Sequence, residues 1–137
     1  MSGPVIVQSP YSKPTFASSQ NFDIQNELAK NAYQGKINSD EAKYRLGNNG
    51  SFVYLVRDLN QGDSTELKQK GDGTPNQYVL SFINKEGNFE ESGIRFAYLS
   101  SNEPFFDNGR PNHVGDSIKN LAWTIMDCDP EQPTTLK

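Results

Sequence analysis

Gly50-Ser51-Phe52-Val53-Tyr54-Leu55-Val56-Arg57 is the stretch on which the fold turns. Aromatic and β-branched side chains fill a short apolar run with no polar face, and the run ends on an arginine. That pattern predicts a central strand covered on both sides. Before it, Gly47-Asn48-Asn49-Gly50 reads as a helix terminator and turn. The helix it closes is expected over Ser39–Leu46. Asn38 or Ser39 caps it, Asp40 and Glu41 fill its first turn, and Lys43 and Arg45 come late, as the helix dipole favours. Phe22–Lys30 reads as a weaker, shorter helix, separated from the next by Gly35.

Downstream of Arg57, residues 58–76 hold Gly62, Gly71, Gly73, Pro75 and mixed charges, which predicts a long surface loop. Loops beyond about 12–15 residues tend to be functional or disordered. Gln77–Ile83 is the next expected strand, 84–88 a reverse turn, and Gly93–Leu99 a third strand. Asp116 or Ser117 then caps a helix in which Ile118, Leu121, Ala122 and Ile125 share one face. Pro130 and Pro133 are expected to end the fold. The predicted class is α+β, a central antiparallel β-sheet flanked by two α-helices. One domain spans 21–130, between a Ser- and Pro-rich leader at 1–20 and a tail at 131–137.

The chain has 137 residues, 13 Lys plus Arg against 17 Asp plus Glu, and a formal charge of -4. That length suits one domain, and the acidic balance argues against a nucleic-acid module. The single cysteine excludes an intrachain disulfide and a cysteine-based metal site. No apolar run approaches the roughly 18–20 residues of a membrane span, and the N-terminus lacks a signal-peptide pattern. The expectation is a cytoplasmic, monomeric protein with no cofactor. His113 and Cys128 could form a nucleophilic pair. However, Asp127 and Asp129 beside the thiol would raise its pKa, the wrong direction for that chemistry.

Arg57 is the most informative residue for function. A guanidinium at the end of an apolar strand starts from a desolvated position and must be paired. Either an internal carboxylate supplies the partner, or an external anion does, and the planar fork suits phosphate. Gly62, Asp63, Ser64 and Thr65 follow in the long loop, with hydroxyls and amides able to wrap such an anion.

Four segments in order carry a resemblance to a known family. Ala32-Tyr33-Gln34-Gly35-Lys36-Ile37 with Glu41-Ala42 is similar to an opening Trp-Tyr-His-Gly-x-Ile and Glu-Ala. Gly50-Ser51-Phe52 leading to Leu55-Val56-Arg57 resembles Gly-x-Phe-Leu-Val-Arg. Tyr78-Val79-Leu80-Ser81-Phe82 looks like Tyr-x-Leu-Ser-Val, and Ser117-Ile118-Lys119-Asn120-Leu121-Ala122 like Ser-Leu-x-x-Leu-Val. Residues 32–126 thus resemble a Src-homology-2 domain.

The resemblance implies a non-catalytic module that binds tyrosine-phosphorylated proteins or peptides, as an adaptor or competitor in signalling. Arg57 would hold the phosphate on the pocket floor. Arg95, Ser81, Ser39, Ser64 and Thr65 would complete the pocket, with Lys68 and Lys70 as further cations. Phe105, Phe106 and His113, in the segment 100–115, would touch the peptide. A dianionic ligand would require the acidic balance to be locally reversed around Arg57. The sequence departs from the family pattern at Ala32, at Ser39 where a second arginine is usual, at Asp58-Leu59, and in the long loop. Such departures leave a second expectation, an interaction scaffold of the same fold that no longer needs phosphotyrosine. The asparagine- and lysine-rich texture resembles members found in intracellular bacterial effectors, such as those of Legionella, which act in host cytoplasm.

Overall fold

A computed structural model describes residues 23–69, 73–99, 101 and 103–137. The leader at 1–20, Phe22 and Lys70 lie outside the described residues.

Helix α1 (Ile24–Ala29) starts at Asp23, whose carboxylate accepts the N–H groups of Gln25 and Asn26. Helix α2 (Ser39–Leu46) is capped by Asn38, which accepts the Glu41 N–H at 2.8 Å. Strand β1 (Val53–Asp58) follows, then a short helix α3 (Thr65–Lys68), β2 (Tyr78–Ile83) and β3 (Phe89–Tyr98). Asn84 shapes the β2–β3 turn by accepting the N–H groups of Glu86 and Asn88. Strands β4 (Pro104–Asp107) and β5 (Val114–Gly115) lead into helix α4 (Ile118–Met126). Ser117 caps α4, and the chain closes on β6 (Thr134–Thr135).

The class is mixed α+β. The six strands among the described residues lie in the order β5-β4-β3-β2-β1-β6. Neighbours from β5 to β1 run antiparallel, whereas β6 runs parallel to β1. Because successive strand residues face opposite ways, β1 feeds two cores. Tyr54 and Val56 join Leu80, Phe82, Ile94 and Phe106 under the α4 residues Ile118, Leu121, Ala122 and Met126. Val53 and Leu55 join Ile83 under Ala42 and Leu46 of α2. Arg57 is the next residue in that second row.

Several expectations are corrected. The described helices number four: α1 is the short helix expected within 22–30, α3 is an addition to those expected, and the sheet is not purely antiparallel. The loop at 58–76 is not free of secondary structure, because α3 lies inside it. The third strand begins at Phe89, four residues earlier than its apolar part. Pro130 and Pro133 do not end the fold: Pro133 is buried, and Leu136 packs beside Val53 and Leu55. Strands β5 and β6 have two residues each. Strands that short are made by their partners, with no periodicity of their own to read. No described helix is long and apolar enough to cross a membrane.

Candidate functional site

The register of the sheet builds the site. Leu55 pairs with Ser81 and Ser81 with Glu91, while Arg57 pairs with Val79 and Val79 with Gly93. Paired residues share a face, so Arg57, Ser81, Glu91 and Gly93 all point to the side covered by α2. The first turn of α2 brings Ser39 onto the same point.

Arg57 is fully buried, with 0% of its surface exposed. Its Nε donates to Glu91 Oε2 at 3.0 Å. Its outer edge makes a two-pronged contact with Asp63: Nη1 to Oδ2 at 3.1 Å and Nη2 to Oδ1 at 2.9 Å. Nη1 also donates to the carbonyls of Ile37 and Asp58. Ser39 Oγ donates to Glu91 Oε1 at 2.6 Å, and Ser81 Oγ to Glu91 Oε2 at 2.7 Å. Asn60 completes the group. Its backbone N–H donates to Asp63 Oδ2 at 2.7 Å and its side-chain amide to the Ile37 carbonyl at 2.8 Å.

The electrostatics follow from this geometry. Burial alone would lower the Arg57 pKa, but the bonds to Asp63 and Glu91 and their charges outweigh it and raise it. Burial likewise works to raise the Asp63 pKa. The bonds from Arg57 and the Asn60 N–H, with the charges of Arg57 and Lys68, hold it below its ordinary 3.8. By formal charge Arg57, Asp63 and Glu91 sum to -1. The expected local reversal of charge around Arg57 is not found. Of the two partners open to the guanidinium, internal carboxylates hold it here.

Three of the expected pocket residues, Arg57, Ser39 and Ser81, do meet at one point. Arg95 does not join them. It lies four residues along β3 from Glu91, roughly 13 Å, and its Nε donates to Asp107 on β4 at 3.0 Å. Ser64 is exposed and serves as the N-cap of α3, accepting the Leu67 N–H, and Thr65 is exposed in the first turn of that helix. Phe106 is only 1% exposed and belongs to the core under α4, so it offers no surface to a peptide. Phe105 and His113 are half-buried, with His113 Nδ1 3.0 Å from Asn108 Nδ2. The Cys128 pKa is raised by burial and then by Asp129 and Asp127, as expected of its neighbours.

Glu91 and Asn60 were the residues sequence reasoning missed, and Asp63, named there as part of the loop, takes the guanidinium with its own carboxylate. A paired carboxylate such as Glu90-Glu91 reads as exposed, yet it lies in the first part of β3, where the Glu91 side chain is 9% exposed. Asp63 carried a legible signal, a carboxylate in the Gly/Ser/Thr stretch just after a buried arginine. No family model matches this chain, and no curated protein matches it.

Proposed function

We propose that this chain is a phosphotyrosine-peptide binding module of the Src-homology-2 type, with Arg57 as its phosphate-binding residue. The observation that carries the reading is the outer edge of the Arg57 guanidinium. It is aimed toward the 58–69 segment and already grips an oxyanion through two parallel N–H···O bonds. Phosphate is bound by the same fork, and charge-assisted pairs of this kind are roughly twice as strong as neutral ones. Glu91, steadied by Ser39 and Ser81, holds the opposite Nε edge and keeps the guanidinium plane oriented. Ser39 and Ser81 are therefore positioning residues that act through Glu91. Lys68, close enough to bias the Asp63 pKa, supplies a second positive charge to an incoming phosphate. A mixed α+β architecture with α2 over one face of the central strands and α4 over the other supports the reading.

The test uses a peptide pool degenerate around a central phosphotyrosine and its unphosphorylated copy, titrated against wild type and Arg57→Lys. Lysine keeps the charge and loses the fork. Wild type should prefer the phosphorylated pool, and Arg57→Lys should weaken that binding by roughly a hundredfold, about 3 kcal/mol.

Glu91 favours a second reading, the scaffold that no longer needs phosphotyrosine. With a dianion in the fork, its charge stands beside the phosphate, and like charges at this separation oppose binding. Equal binding of both pools would select that reading.

A further inference from the structure

We propose that the segment Asn60–Lys68 is an internal ligand of the Arg57 site, so that the domain is self-inhibited until a phosphotyrosine displaces Asp63. This rests on the phosphate-binding role just assigned to Arg57.

Asp63 is the one residue of its stretch turned deeply inward. Its side chain is 6% exposed, while Gln61, Gly62, Ser64, Thr65 and Glu66 on either side are all exposed. It takes both outer nitrogens of the guanidinium, one on each carboxylate oxygen, the two-pronged pairing a phosphate would use. A phosphate and Asp63 therefore cannot occupy the fork together.

Among the described residues the segment is fastened by a few polar contacts, the Asn76 N–H to the Lys68 carbonyl at 2.8 Å among them, and by no fully buried apolar side chain. None of the four residues of α3 is buried. At one end the Asn60 side chain donates to the Ile37 carbonyl. At the other, the Leu67 carbonyl rests against β3 at Gly93 and accepts from Asn76 Nδ2 at 3.0 Å. Gly93 is required for that approach, since a Cβ there would stand 2.2 Å from Leu67 O and 2.3 Å from Asn76 Nδ2. Asn76 Oδ1 is buried without a partner among the described residues, a cost of docking that opening would relieve. Segments held by few apolar contacts sit at the low end of local stability, which is where displaceable elements belong. A competitor tethered beside its site acts at high effective concentration, so the free affinity of the pocket is masked.

Two variants loosen the segment from different ends. Asp63→Asn keeps the shape and removes the charge, leaving Glu91 to neutralise Arg57. Gly93→Ala expels the Leu67 carbonyl without touching the guanidinium. Titrated with the degenerate phosphotyrosine pool, Asp63→Asn should bind at least tenfold more tightly than wild type, and Gly93→Ala should shift the same way. In wild type, hydrogen exchange of the Asn60–Lys68 amides should accelerate when the phosphorylated pool is added and stay unchanged with the unphosphorylated pool. Phosphate-dependent binding of equal or lower strength in both variants, with amide protection unaltered in wild type, overturns the self-inhibition and leaves the phosphotyrosine reading intact. No preference for the phosphorylated pool in any of the three proteins overturns that reading, and the self-inhibition with it.

Discussion

Arg57 is a residue whose loss and whose conservative replacement should behave very differently. Removing a buried partner leaves uncompensated charge, which costs about 3–5 kcal/mol. Arg57→Leu strands both Asp63 and Glu91 next to an apolar side chain, so chemical denaturation should show a loss of that size. Arg57→Lys retains a cation between the two carboxylates and should lose less than half as much. Equal losses would mean that the pairing contributes little to the fold. Tyr33 gives a milder case. Its hydroxyl donates to Asp58 Oδ1 at 2.6 Å, and that bond, then burial and the Asp58 charge, push its pKa up to about 12. Tyr33→Phe should cost about 1 kcal/mol, and since burial also raises Tyr54, Tyr78 and Tyr98, ultraviolet titration of the variant should show one late-ionising tyrosine fewer than the wild type.

At the scale of elements, a few polar contacts tie distant segments together beside the two shared apolar cores. Glu27 of α1 accepts the Ile118 N–H at the start of α4 at 2.8 Å, 91 residues away in sequence. The same carboxylate accepts from Asn31, whose Oδ1 accepts the Tyr54 hydroxyl at 2.5 Å. Glu27→Gln keeps an acceptor for the helix N-terminus and should cost little. Glu27→Ala leaves a buried donor unmet and should cost about 1–3 kcal/mol in thermal or urea unfolding. The C-terminal strand offers a parallel case. Thr134 N–H donates to the Phe52 carbonyl and Leu136 N–H to the Tyr54 carbonyl, while Leu136 adds to the core under α2. Deleting residues 133–137 should cost about 2–3 kcal/mol, measurable as a lower denaturation midpoint.

For the whole molecule, stability should fall on acidification through the cluster at Arg57. Asp63 has a folded pKa held below its ordinary 3.8. A group depressed in this way contributes stability that is present above its unfolded pKa and lost as the pH falls through the folded value. The loss therefore belongs to the region from just under pH 4 downward. Asp63→Asn should be less stable than wild type at neutral pH, and the two should converge in acid. Urea midpoints measured at pH 6 and pH 3 check this, and a constant gap between the proteins would refute it. The overall charge of -4 sharpens the point, since the cluster adds to the acidic balance instead of reversing it.

Much of this molecule could be read from local pattern. The strand Val53–Asp58, the hairpin turn at Asn84–Asn88, and the helices at 39–46 and 118–126 each carry their own caps, turn residues or apolar periodicity. Such signals act over a few residues, so they survive without tertiary context. That Arg57 must be paired was equally legible, because an apolar strand cannot end on a solitary buried charge. Which partner it takes was not. Glu91 is 34 residues away and reaches the guanidinium only through the register of β1, β2 and β3. Asp63 reaches it only because Gly93 lets the following turn settle on the sheet. The sequence by itself determined the central strands, three of the helices and the need for an anion at Arg57. Tertiary structure alone decided that two of the chain's own carboxylates meet that need, since strand pairing and close backbone approach are properties of the assembled sheet.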